Sequence, residues 1–316
     1  MIRCFRLLTG VFAVGILCSE SQSQVWEKLV VPGLTYRMEV DPAQPRMIHA
    51  LRWSPNSDVR AVPELAGGTI FEATPSIGRE TISSMAKRTA AVAVINADFF
   101  PFTGDPIGLM VRGGELLSLP YKNRSSFAWG PSKSFASGPT VATIEIRFAS
   151  GLPQPIEQFN EDCKTDSLSL NTPSAGVAKA KATGTHAIIK VIGGTWKVGT
   201  TVRGEIEQIV TGQDIPIPAG KCILTACGTS SAFVAGLKPG ATLEIDLNVG
   251  DFDWTKLDNA IGGGPNLVSR GLISTDSAAQ TFNADFSDKR HPRTAMGRTA
   301  EGDLLFVAVD GRQEIS

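Results

Sequence analysis

The chain has 316 residues, 42% hydrophobic and 19% charged, and its 30 basic and 31 acidic side chains leave a net charge of −1. That balance excludes the basic face of a nucleic-acid-binding protein and the charge runs of a solvated tail. Its 32 glycines and 19 prolines, scattered throughout, predict many short strands joined by turns.

Residues 1–23 read as a signal peptide. Arg3 and Arg6 form a basic n-region, Leu7 to Leu17 an apolar core, and Ser19, Ser21 and Ser23 the small residues near a cleavage point. The apolar core is too short to span a bilayer, and Leu17 before Cys18 is bulkier than a lipoprotein signal favours. The expectation is an exported protein, periplasmic or secreted, with no membrane span in the mature chain. Cys163, Cys222 and Cys227 remain, which predicts one disulfide and one spare thiol without choosing the pair. The Cys222/Cys227 spacing matches no zinc pattern. None of His49, His186 and His291 has the context of a partner for a catalytic cysteine.

Leu34 to Val40 and Met47 to Trp53 alternate as strands, within a lead-in of residues 24–66. Residues 54–78 are broken by proline and glycine. Glu80 to Arg88 predicts a helix with Ile82, Met85 and Ala86 on one face and Lys87 and Arg88 in the last turn. Ala90 to Ile95 predicts a buried strand that ends in Asn96 and Asp98. "PIGLMVRGGELLSLP" then predicts a hairpin turning at Gly113-Gly114, followed by a strand in "SSFAWG". Asn123-Arg124-Ser125 is a glycosylation sequon, relevant only on a eukaryotic secretory route.

Residues 140–148 alternate again, and 150–183, polar and rich in small residues, predict a surface excursion. "THAIIKVIGG", "EIEQIVTG", "KCILTACG" and "ATLEIDLNV" predict further strands, with a short helix at Ser230 to Leu237. Leu304 to Val309 is a continuous apolar run, expected to be buried on both faces. With no fixed repeat and no linker, residues 67–316 are expected to form one strand-rich α+β domain of mixed sheets with few helices.

Chemistry is concentrated in Asn96 to Phe100, in Gly262 to Asn266, and in Arg290 to Arg312. Taken singly, each has a plain explanation: Asn and Asp cap turns, and triple glycine makes bulges. Asp251 and Asp253 lack the further oxygen ligands of a calcium loop. The glycines lead into a strand, which argues against a nucleotide phosphate loop.

Together, however, "VINADFF" with "PIGLMVRGGEL", then "IPIPAGKCILTACG", "NAIGGGPNLVSRG" and "RHPRTAMGRTAEGDLLFVAVDGR" resemble the phosphodiester glycosidase family, in that order from about residue 67 to the last residue. The resemblance implies hydrolysis of a sugar phosphodiester at the anomeric carbon, in a phosphorylated glycoconjugate or polysaccharide. Family members continue into a Leu-Asp-Gly-Gly-Gly-Ser motif, so the sequence is expected to be cut short at Ser316. No cofactor is implied, although a divalent cation stays open.

A phosphate monoester leaves with little protonation, so the main demand is to neutralise phosphate oxygens, which suits arginine forks and glycine-rich backbone. One carboxylate is still needed, to activate water or to attack the anomeric carbon. The resemblance implies Asp98 or Asp310 for that role and Arg293 as the phosphate or carboxylate partner. It implies Asn96 on a sugar hydroxyl, Phe99 as a pocket wall, and Gly108, Gly263, Gly264 and Thr294 in substrate contact. His291, beside a proline, is more plainly a surface residue than an acid. The alternative is a carbohydrate- or anion-binding protein of the same fold without catalysis, linked to exopolysaccharide or the cell envelope.

Overall fold

The computed structural model describes residues 23–71, 79–131, 134–149, 151–179 and 184–311. All of the expected signal peptide except Ser23, and also Arg312, fall outside these residues.

Three sheets stack in layers, and the middle one explains the other two. It is built from Glu115–Ser118, Met110–Arg112, Asn259–Gly262, Ser125–Trp129 and Phe135–Pro139, in that order and all antiparallel. Gly113 and Gly114 both have positive φ, 58° and 87°, as a two-residue hairpin turn requires, so the expected hairpin forms where the glycines put it. Side chains alternate across this sheet. Val111, Ala128 and Ala260 face one layer, and Phe127, Trp129 and Ile261 face the other. Both faces are therefore covered, which is why these short strands carry almost no charge.

On the first face lies an eight-stranded sheet ordered Gln158–Phe159, Leu168–Asn171, Lys221–Ala226, Thr185–Gly193, Thr200–Thr211, Thr242–Val249, Ala142–Phe148 and Gln154–Pro155. Only the first pair is parallel, which makes the sheet mixed. Leu243, Ile245 and Leu247 enter the core as the alternation predicts, beside Ile144, Ile146, Ile189, Val202 and Leu224. Each such side chain contributes roughly 1.5–3 kcal/mol by leaving water.

Of residues 150–183, the described part, 151–179, is not simply the expected surface excursion, and the rest lies outside the described residues. Phe159, Ser169, Leu170 and Thr172 are fully buried there. The polarity of the segment is absorbed by backbone partners: Asn160 donates to the Leu117 carbonyl at 2.9 Å and accepts from the Thr172 N–H at 2.8 Å. A Cys163–Cys227 disulfide ties the segment to the end of Lys221–Ala226. Cys222 is the spare thiol, buried, with burial pushing its pKa well up.

On the second face lies a five-stranded antiparallel sheet ordered Gln24–Val31, Leu34–Asp41, Arg46–Trp53, Leu304–Val309 and Arg293–Arg298. The lead-in thus shares a sheet with strands from the other end of the chain, with Leu304 opposite Trp53. Leu34, Trp53 and Leu304 pack on Trp129 of the middle sheet. The expected burial of Leu304 to Val309 on both faces does not hold. Only Leu304 is buried and the rest are half-buried, because only one face of this sheet meets the middle layer.

The expected first helix is present as Ile82–Thr89. It is capped by Thr81, whose hydroxyl accepts the Ser84 N–H, and it ends at Ala90 with φ 53°. The expected strand Ala90 to Ile95 is absent. The chain there finds no ladder partner among the described residues, and Ala91 and Val92 are exposed. The second helix shortens to Ser231–Ala235, and a third, Ala284–Asp288, was not expected.

Candidate active site

Residues 91–107 run without a ladder from the first helix to the strand Met110–Arg112, and so carry Asp98 to one end of the middle sheet. Two of its strands meet there, Met110–Arg112 beginning and Asn259–Gly262 ending. Asp98 Oδ1 accepts the N–H of Phe99 and Oδ2 the N–H of Gly108, both at 2.7 Å. A Cβ on Gly108 would lie 2.6 Å from Oδ2. One on Gly262 would lie 2.5 Å from the same atom and 2.7 Å from Gly108 Cα. Both positions therefore have no room for a side chain while the carboxylate stays seated. Burial raises the Asp98 pKa to about 6, against the pull of the two N–H donors and the Arg124 charge.

An aromatic wall stands beside this carboxylate. The Phe99 ring lies 5.7 Å from Phe282 and 5.3 Å from Phe286, which are themselves 5.1 Å apart. Asn283 caps the third helix by accepting the Phe286 N–H at 2.8 Å. The sequence reading overlooked this segment because its phenylalanines lack strand or helix periodicity.

Arg293 touches the wall from the far side. Its guanidinium sits 4.2 Å over Phe286 and donates to the carbonyls of Phe286 and Lys289, closing the C-terminal end of that helix. These contacts tie Arg293 to the end of that helix through its Nη2 donors. The guanidinium whose charge reaches Asp98 is that of Arg124, which lies 4.3 Å from the Phe282 ring and 5.1 Å from Phe99. The sequence reading passed over Arg124 except as part of a sequon. Its one local signal was its place directly before the buried strand Ser125–Trp129.

Asn96 is exposed and accepts from the Thr294 hydroxyl at 2.9 Å, which joins the terminal sheet to the site. Thr294 lies opposite Ala308, and Asp310 follows two residues later, its N–H donating to the Met47 carbonyl at 3.0 Å. His291 stacks 6.5 Å from Phe286. A Cβ on Gly263 would meet open space, so this glycine leaves room at the site. Gly264 differs: its φ is 101°, and a Cβ there would strike Gln280 and Phe282. The structure thus gathers Asp98, Phe99 and Gly108 with Gly262. It joins Asn96 to Thr294 and attaches Arg293 through Phe286. Among the described residues, no three His, Cys, Asp or Glu side chains gather as a metal-ligand group.

A hollow of about 400 Å³ opens at the opposite end of the middle sheet among Gly113, Lys197, Trp254 and Asp258. It contains none of the residues just described.

Residues 185–316 match the family model described as phosphodiester glycosidase. Gly262 to Gly264, Arg293, Thr294 and Asp310 lie inside that match, while Asp98, Gly108 and Arg124 precede it. No curated protein matches the sequence. Among solved structures, a hypothetical protein from Synechocystis is similar in fold, with a TM-score of 0.71 and 19% identity over 88% of this chain and 51% of its own. A protein from Burkholderia pseudomallei K96243 predicted to be exported is also similar, with a TM-score of 0.66 and 18% identity over 85% of this chain and 62% of its own. The chain thus spans about half to three fifths of the length of these structures.

Proposed function

We propose, from the match of residues 185–316 to the phosphodiester glycosidase family model, that the protein is an exported hydrolase that removes a sugar from a phosphodiester-linked glycoconjugate at the anomeric carbon. The observation that carries this reading is Asp98: one carboxylate, seated on two backbone N–H groups between Gly108 and Gly262, with its pKa raised to about 6. Near neutral pH it is ionised yet poorly solvated, which is the state a nucleophile or a base toward water needs.

Expelling a phosphate monoester asks for little proton donation, so a single carboxylate suits the step better than the pair used on ordinary glycosides. Asn96 offers its amide N–H groups to a sugar hydroxyl once Thr294 has engaged its oxygen. Phe99 forms an apolar wall for the ring, and Gly263 leaves space for the substrate. Export is supported by the N-terminal signal pattern, by the Cys163–Cys227 disulfide and by the predicted export of the Burkholderia protein.

The test is a release assay in ¹⁸O-labelled water with a panel of UDP-sugars and sugar-1-phosphodiesters. Label in the released sugar supports the reading. Label in the phosphate replaces it with a phosphodiesterase mechanism, and binding without turnover leaves the non-catalytic carbohydrate- or anion-binding alternative.

A further inference from the structure

We propose that Arg124 is the anion-binding residue of this site, taking the phosphate oxygens of the ligand on a guanidinium held between aromatic rings. The naming of the anion as a phosphodiester rests on the functional reading above; the presence of an oxyanion site does not.

The backbone around Arg124 is held on both sides. Its own N–H donates to the Tyr121 carbonyl at 3.1 Å, across a turn in which Lys122 has φ 50°. The next residue, Ser125, is clamped by buried Gln280, which accepts the Ser125 N–H at 2.8 Å and donates to its hydroxyl at 2.9 Å. Gln280 in turn packs where a Gly264 side chain would be. The start of the strand and the glycine run are thereby one rigid unit.

The side chain lies among aromatic rings, and one of its donors is buried without a partner among the described residues. Its guanidinium carbon lies 4.3 Å from the Phe282 ring centre, 4.9 Å from Tyr121 and 5.1 Å from Phe99. Ring faces stabilise the charge but accept no conventional hydrogen bond. Nε is out of contact with solvent and has no hydrogen-bond partner among the described residues. Arg293, on the other side of the same wall, differs in that its Nη2 donates to the carbonyls of Phe286 and Lys289. On this wall Arg124 presents a planar fork, and carboxylate and phosphate groups match such a fork in two parallel hydrogen bonds. Asp98 lies within reach of its charge, and Gly263 nearby leaves open space. An anion seated on Arg124 would hold the scissile group near the Asp98 carboxylate.

The experiment measures binding of inorganic phosphate to the full chain by calorimetry, and separately its inhibition of diester hydrolysis. Arg124→Gln, Arg124→Lys and, as a control in the distant hollow, Lys256→Gln are compared. Loss of the fork is expected to weaken phosphate binding about tenfold or more in Arg124→Gln and to raise KM by a similar factor, with Arg124→Lys between. Lys256→Gln is expected to match the parent.

Phosphate binding by folded Arg124→Gln within about twofold of the parent overturns the inference. Absence of phosphate binding by the parent overturns it as well. If Arg124→Gln does not fold, Arg124→Lys carries the same comparison, since it keeps the stem and charge and loses only the fork. Arg124-dependent phosphate binding without any sugar release sinks the hydrolase reading alone. Sugar release unaffected by either Arg124 variant sinks this inference alone.

Discussion

Replacing Asp98 by Asn has a stability effect whose sign should reverse with pH. The carboxyl pKa rises from an ordinary 3.8 to about 6, chiefly through burial. The folded state therefore keeps its proton at pH values where the unfolded chain has lost it, so stability is intact below about pH 4 and falls as pH rises towards 6. At about 1.4 kcal/mol per pH unit, the ionised carboxylate costs the fold about 3 kcal/mol near pH 8.

Asparagine removes that cost but has a single oxygen, so one of the N–H groups of Phe99 and Gly108 loses its acceptor, at about 1–2 kcal/mol. Asp98→Asn is then expected to be about 1–2 kcal/mol more stable than the parent near pH 8 and less stable by a similar amount near pH 4. Urea unfolding of both proteins at the two pH values measures this, provided the m-values agree. A difference between them that stays constant within about 0.5 kcal/mol across that range would refute the argument that burial sets the acidity of Asp98.

The same carboxylate predicts a kcat/KM that rises about tenfold per pH unit below pH 6 and levels above it, and Asp98→Asn should lose about three orders of magnitude or more in kcat. Gly262→Ala should abolish activity by displacing Asp98, whereas Gly263→Ala should fold with an unchanged melting temperature and raise KM, as kinetics and thermal denaturation of the pair will show. Arg293→Ala should cost about 2 kcal/mol in unfolding experiments by releasing the end of Ala284–Asp288, with a smaller loss of kcat than Asp98→Asn. Replacing Cys163 and Cys227 together by Ser opens a loop of 64 residues and should lower stability by about 4 kcal/mol in denaturant titrations.

Much of the strand content was legible because local rules decide it. Gly113-Gly114 makes a hairpin by itself, and Thr242–Val249 announces its buried face through alternation. What failed depended on neighbours that local pattern does not contain. Ala90 to Ile95 has the composition of a buried strand, but among the described residues no strand lies alongside to complete a ladder. Residues 150–183 were too polar to read as core until Asn160 and Thr172 found backbone partners.

The candidate site divided in the same way. Asp98 and the glycines were visible as polar or flexible residues ending apolar runs. Arg124 was not, because its character comes from Phe282, which is remote in sequence. The contact of Arg293 with the Phe286 and Lys289 carbonyls was not legible either, because position beside a strand says nothing about which carbonyls lie near a guanidinium.

The pairing of Arg46–Trp53 with Leu304–Val309 also bears on how the protein matures. A ribosome delivers the first of these strands long before the second, so a hydrogen-bonding edge rich in apolar groups stays open until the second is made. The Thr294 that steadies Asn96 arrives on that same late hairpin. Nascent chains should therefore stay inert toward substrate until that hairpin is made, and depend on a holdase to avoid sticking to one another.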